Sequence, residues 1–326
     1  MLLIRILIGG AVALAILWAG AALWFDGPTS RPAAGGLALG FVVLSLGLLL
    51  RVRPVVRGLA GFGLLFLLVL FWWGSLEPSN DRIWAADVAH TATVSFDGNR
   101  ATIQNVRNFR YRSETDFDPI WEERTIDLST VTGIDFYLIY WGSPWIAHTI
   151  VSWTFEDAPP LAISIETRKE ADESYSAVLG FFRQFELYYV VADERDVIGL
   201  RTHHRGEDVY LYRLRTPPAE ARALLVDYLE TIDRLAQEPR WYNAASHNCT
   251  TTIRRHVQHL AADRPFDWRI LVNGYLDELA YERGSVDTSL PFEKLRSLSA
   301  ISARAQTSPI DADFSARIRE GLPGGR

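Results

Sequence analysis

Apolar residues crowd the first quarter of this chain and then give way to short alternations. ILIGGAVALAILWAGAALWF (6–25), AAGGLALGFVVLSLGLLL (33–50) and GLAGFGLLFLLVLFWWGSL (58–76) carry no charge. Each is about long enough to cross a ~30 Å hydrocarbon layer as a helix. The pattern therefore predicts a membrane anchor of three transmembrane helices over 1–78. The first run is long for the core of a signal peptide and two more follow it, so it reads as uncleaved. Arg51, Arg53 and Arg57 crowd the link between the second and third runs, and Arg5 precedes the first. An arginine-rich side is the cytoplasmic side, which predicts a cytoplasmic N-terminus and an extracytoplasmic remainder after about Glu77. Trp72 and Trp73 fall where an interfacial aromatic belt would lie.

Beyond the anchor the period changes. ATVSFDGN, ATIQNVRNF and IDFYLIYW, within 90–142, read as strands, with NVRNFRYRSETDF as a charged, irregular link. Ile146–Phe155 reads as a strand, EDAPP as a turn and Leu161–Arg168 as a second strand, which makes a hairpin. ELYYVV and DVYLYRLR are further strands, and 174–185 reads as a short helix. The run Ala219–Gln237 places Leu225, Tyr228, Leu229, Ile232 and Leu235 on one helical face. The aromatic stretch LGFFRQFELYY (179–189) suits either core or the lining of an acyl groove. The fold class expected is α+β, with an antiparallel sheet and a helix bearing the cysteine, over 79–305. Residues 306–326, ending GLPGGR, read as a flexible, frayed tail.

Composition narrows the function. The chain is 48% hydrophobic with 11 Trp, 12 Tyr and 16 Phe, so it can bury a core, and its net charge of -6 argues against a nucleic-acid partner. It holds a single cysteine, Cys249. Outside the cytoplasm cysteines usually pair, so a lone one is either a small buried hydrophobe or a free, useful thiol. Its setting, SHNCTTTIRRHVQHLAADRP (246–265), favours the second reading. Asn248 is a good helix cap, and Ile253, Val257, Leu260 and Ala261 recur at helical spacing until Asp263, Arg264 and Pro265. Cys249 then sits in the first helical turn, where the dipole favours thiolate and free N–H groups, with Asn248 and Thr250 alongside, can hold an oxyanion.

Seven histidines are available as a base. His247 lies outside the helix, and His256 is two turns along it, roughly 10 Å away. His256 and His259 lack a carboxylate or cysteine at ligand spacing, so no metal is expected, and no cofactor. His203 and His204 read as solvated loop residues in the turn RTHHRGED. His148 differs: alternation along its strand puts it on one face with Ile150, Ser152 and Thr154. Hairpin pairing then brings it opposite or diagonal to Glu166 and Arg168. Glu166 interrupts the apolar run ISIE. It would either orient the imidazole or pair with Arg168.

The order His, acidic residue, Cys at a helix start is the reverse of papain, as a circular permutation would give. The segments FRYRSETDFDPIWEERTIDLSTV, IYWGSPWIAHTIVSWTF, ISIETRKEADESYSAVLGFFRQFELYYVVADERDVI, GEDVYLYRLR, YNAASHNCTTTIRR and GYLDELAYERGSVDTSLPFEKL resemble the periplasmic domain family named after the lipoprotein N-acyltransferase Lnb. The resemblance implies a permuted papain-like domain in the bacterial periplasm, tethered to the inner membrane, with Cys249 as nucleophile and His148 as base. It also implies a lipoprotein or phospholipid substrate, whose acyl chain is moved from an ester to an amine. Hydrolysis by the same pair, on lipids or cell-wall peptides, is the second reading. A non-catalytic envelope binding module is the third.

Overall fold

The computed structural model describes residues 2–260 and 265–324. The expected apolar repeat at Ala261 and the stop at Asp263 and Arg264 lie outside them. Two compact units emerge, Met1–Ser79 with Tyr175–Glu186, and Asn80–Ser174 with Leu187–Arg326.

In the first unit, α1 (Leu2–Phe25), α2 (Arg31–Arg51) and α3 (Val55–Gly74) are each long and apolar enough to cross a membrane. Ile16, Ala19, Phe41, Phe62 and Val69 pack between them. Leu14, Leu39, Leu67 and Phe71 face outward. That outward apolar surface would be prohibitive in water and suits hydrocarbon. The segment 175–186 joins this unit. It was expected to be a helix, yet it holds only one 3₁₀ turn, Leu179–Phe181. Asp26, just past α1, accepts hydrogen bonds from Trp73 Nε1 (2.6 Å), the Arg183 N–H and Gln184 Nε2 (2.8 Å). Phe182 packs on Phe25 with ring centroids 5.0 Å apart. The first part of the aromatic run, through Phe182, therefore serves the helical unit, and its end becomes the start of a buried strand in the second unit.

The second unit is α+β. Its main sheet runs β1 (Thr93–Asp97), β2 (Arg100–Arg107), β9 (Glu186–Asp193), β8 (Leu161–Arg168), β7 (His148–Phe155), β6 (Val131–Tyr140), β10 (Asp208–Arg213), with β5 (Trp121–Asp127) also on β2. β3 (Arg110–Tyr111) and β4 (Phe117–Asp118) form a small hairpin inside the stretch expected to be irregular. The pairing is antiparallel at β1–β2, β2–β5, β6–β7, β6–β10 and β7–β8, but β2 meets β9 in parallel, so the sheet is mixed. β6 and β9 are buried almost throughout, which explains their unbroken apolar runs. Trp153 is fully buried and gives its indole N–H to Ala221 O (2.9 Å) on α5 (Pro218–Gln237), whose expected apolar face is buried as read.

Two expectations fail here for the same physical reason. His203 and His204 do not sit in a solvated turn. Asp193 caps a short helix, α4 (Glu194–Gly199), which runs on into a π-helical turn, Leu200–His204. Glu194 and Asp196 are buried but paired. Arg107 forks onto Asp196 (2.7 Å), and Arg319 bridges Glu194 (2.6 Å) and Asp135 (2.9 Å). Arg319 belongs to the tail expected to fray, and Phe314, Ile318 and Leu322 beside it enter the main core. The tail is held because it carries the counter-charge of two buried carboxylates.

Replacing Arg319 by Met leaves Glu194 and Asp135 without that partner. Removing one member of a buried pair costs about 3 kcal/mol or more, so the Tm of the sheet unit should fall by roughly 6–12 °C. Thermal unfolding followed by near-UV circular dichroism checks this.

Candidate active site

α6 (Cys249–Leu260) starts where it does because Asn248 caps it. Asn248 Oδ1 accepts the Thr251 N–H (2.9 Å), and Thr251 Oγ1 accepts the Asn248 N–H (3.0 Å). This reciprocal cap makes Cys249 the first helical residue, half-buried and unpaired as a free thiol.

His148 opens β7. The register Ile150↔Ser164, Val151↔Ile163, Ser152↔Ala162 extends to place His148 opposite Glu166. His148 Nε2 lies 2.6 Å from Ser164 Oγ and 3.5 Å from Glu166 Oε1. Ser164 donates its hydroxyl to Glu166 (2.7 Å), so its oxygen accepts from Nε2–H. That fixes the tautomer and leaves Nδ1 for the thiol. Glu166 in turn accepts from Arg201 Nη2 (3.0 Å), a buried arginine on the π-turn. Arg168, the alternative partner for Glu166, is occupied elsewhere: it donates to Val88 O and Ala89 O and lies over the Trp84 ring.

The electrostatics follow from this chain of contacts. Burial pulls the His148 pKa down. Hydrogen bonds to Cys249 and Glu166 and the thiolate charge outweigh it, and the pKa is pushed up to about 9. Burial pulls the Cys249 pKa up, but the hydrogen bond and charge of His148, Thr250 Oγ1 and the Thr149 N–H bring it below the ordinary thiol value. Glu166, despite burial, is held well below the carboxylate range by His148 and Arg201. These opposite shifts both favour a thiolate–imidazolium pair over the neutral thiol and imidazole.

One residue at the centre carried no signal in the sequence. Asn273 is buried and clamps the entry to β7: its Oδ1 accepts the Ala147 N–H (2.9 Å) and its Nδ2 donates to Ala147 O (2.5 Å). The same Nδ2 donates to Thr250 Oγ1 (2.8 Å) and lies 3.8 Å from Cys249 Sγ. Because Asn273 takes both backbone groups of Ala147, the strand begins at His148 and not at Ile146. Gly274 must be glycine for the same approach, since a Cβ there would meet Pro144 O at 2.2 Å. Asn-Gly signals a turn, but nothing in the sequence ties it to residue 147. Ser164 and Arg201 were likewise missed. Both are generic residues whose role comes from the fold.

The remaining histidines stand apart from the thiol. His247 holds Ser246 Oγ and Arg255 Nη2 through its two ring nitrogens. His203 contacts Thr202 and Ser308 O. His256 is buried with Nδ1 on Asp227 (2.6 Å) and Nε2 on Tyr189 Oη (2.8 Å), and His259 also reaches Asp227 (3.1 Å). The carboxylate that spacing along the chain did not offer comes from α5. Among the described residues Asp227, His256 and His259 have ligand atoms within 4.8 Å of one another. Arg255 beside them adds positive charge that disfavours a cation there.

A cleft of about 740 Å³ opens beside the thiol. Thr149 and Thr250 form its near wall, and Phe136, Val151, Leu224, Ile253 and Leu279 make it apolar. Its volume falls within the ~300–1,000 Å³ of small-molecule sites. The loops carrying Ala147 and Asn273 also expose Trp145, Ile146, Trp268 and Leu271, each more than half accessible.

Residues 117–274, which include every residue of this arrangement, match the family described as the Lnb N-terminal periplasmic domain. No curated protein and no solved structure matches the chain.

The rate of iodoacetamide alkylation of Cys249 should show its acid inflection below the ~8.5 of an ordinary thiol. His148→Ala removes the main group lowering the thiol pKa, so the inflection should move upward and the rate at pH 6.5 should fall at least tenfold. An unchanged inflection would separate the two residues.

Proposed function

We propose that this chain, which belongs through residues 117–274 to the Lnb N-terminal periplasmic domain family, is a membrane-anchored thiol acyltransferase acting through a Cys249 acyl-enzyme. The family suggests a lipoprotein-processing role. What supports the chemistry is the polarised Cys249–His148 pair, whose chain neighbours Thr250 and Thr149 line a large, mostly apolar cleft. The wall is mostly aliphatic, with Phe136, which suits an acyl chain, although Arg215, Glu220, Arg254 and Arg283 also line it.

In this reading the thiolate of Cys249 attacks the carbonyl carbon of a lipid ester whose acyl chain lies in the cleft. N–H groups at the start of α6 stabilise the oxyanion, and Asn273 holds that helix start against the entry to β7 through Thr250 and Ala147. The tetrahedral intermediate collapses by breaking the carbon–oxygen ester bond, and the His148 imidazolium gives its proton to the departing alkoxide. A thioester remains. An amine then attacks it while His148 takes the proton from nitrogen, and collapse releases the amide and restores the thiolate. Glu166 holds the imidazole through Ser164 and favours its charged form, as the third member of the arrangement. Asn248 sets the helix start, and Thr250 fixes the Asn273 amide beside the sulfur. The permuted papain-like order of these residues is consistent with this division of roles.

The three apolar helices and the family together fit an inner-membrane protein with a periplasmic domain. The arginines between α2 and α3 favour a cytoplasmic N-terminus, which leaves the site on the outer side. There an acceptor amine is supplied by a lipoprotein with a free terminus. The exposed Trp145, Ile146, Trp268 and Leu271 suit a substrate taken from a lipid phase.

The test uses the full chain in nanodiscs with an S-diacylglyceryl peptide bearing a free α-amine, read by mass spectrometry. An N-acylated peptide should form, and Cys249→Ser or His148→Ala should reduce it about 10³-fold or more. The rate should fall above the His148 pKa of about 9, because the leaving group then lacks its acid. Glu166→Gln removes a contact that raises that pKa, so its alkaline limb should move lower. Release of free fatty acid with no N-acyl product would make the enzyme a hydrolase.

A further inference from the structure

We propose that a second cleft, on the face of α6 turned toward α5 and β9, binds a phosphate group. Its volume is about 80 Å³, small enough to hold one compact anion, and it is distinct from the apolar cleft, with which it shares no residue. Arg234, Arg240, Arg255, His247, His256 and His259 line it, and no Asp or Glu does. The guanidinium groups of Arg234, Arg240 and Arg255 face no carboxylate partner among the described residues, although surface arginines ordinarily find one. Arg255 instead contacts the imidazole of His247 (3.3 Å), a neutral acceptor.

A second, independent observation points to a ligand. Thr252 also lines the cleft and is 4% exposed, yet its buried hydroxyl has no hydrogen-bond partner. A buried hydroxyl left unsatisfied costs about 1–3 kcal/mol. A phosphate oxygen would accept its proton. The planar guanidinium forks supply the paired N–H donors that phosphate oxygens take up. Burial, and then the charges of Arg255 and Arg240, hold the half-buried His247 below its usual pKa. Asp227 is engaged by His256 and His259 and does not itself line the cleft. The phosphate could be inorganic or the headgroup of a phospholipid. The inference rests on this cleft alone and stands or falls independently of acyl transfer.

Equilibrium dialysis of radiolabelled inorganic phosphate against the full chain in a phosphate-free maltoside detergent tests it. Saturable one-site binding that weakens with added salt is expected. Arg240→Gln with Arg255→Gln should weaken it at least tenfold, about the value of one charge-assisted contact. Thr252→Val should weaken it several-fold while Thr252→Ser retains it. The two arginines are exposed, so these variants should keep the parent's Tm in the absence of phosphate. Competition by short-chain phosphatidylglycerol would identify a lipid headgroup as the ligand, and its failure would identify free phosphate. Absence of saturable binding, unchanged affinity in the double variant, or binding lost on adding a chelator would overturn the proposal, the last by placing a cation at Asp227.

Discussion

The site depends on one carboxylate. Glu166 sits in a strand whose neighbours are buried and apolar, where an unpaired charge would be costly. It is tolerated because Arg201 and Ser164 hold it, and that requirement shapes its surroundings. Arg201 must approach from a π-turn, which is anchored by the buried carboxylates of α4. Ser164 must pass the contact on to His148. Contact with Cys249 and then with Glu166 raises the His148 pKa, and His148 in turn does most to lower that of Cys249.

The second constraint is positional. His148 is the first residue of its strand and Cys249 the first of its helix, and each would swing freely without a fixed predecessor. Asn248 fixes the helix start by closing a reciprocal cap, and Asn273 fixes the strand start by taking both backbone groups of Ala147. Asn273 then reaches Thr250, so one amide ties strand, helix and thiol together. Its three contacts make it a rigid clamp that keeps the start of α6 and its backbone N–H groups in one place. A side chain of the same polarity on a mobile loop would lose most of that effect to reorganisation.

Much of this was legible along the chain and some was not, for identifiable reasons. Local signals succeeded. Asn248 before an apolar periodic run marks a helix start, the β7–β8 alternation places His148 across from Glu166, and the three long apolar runs become helices. Non-local contacts were invisible. Asn273 lies 126 residues from the backbone it clamps, and Asp227 completes a cluster with His256 from another helix. Polarity also misled: RTHHRGED and the tail look solvated, yet Arg201 is held against Glu166 and Arg319 against Glu194 and Asp135, partners that only the fold supplies. Segment 175–186 has helical periodicity but spends its polar groups on Asp26 near the helix ends instead.

In the proposed mechanism Cys249 carries an acyl group during turnover. The most direct measurement is the intact mass of the membrane-purified protein before and after neutral hydroxylamine, which cleaves thioesters. The account predicts a wild-type adduct with the mass of a fatty acyl chain that hydroxylamine removes, and no such labile adduct in Cys249→Ser. A wild-type protein that never carries the adduct in the presence of lipid ester, with a thiol unreactive toward small alkylating reagents in the folded state, would contradict it and leave Cys249 as a packing residue.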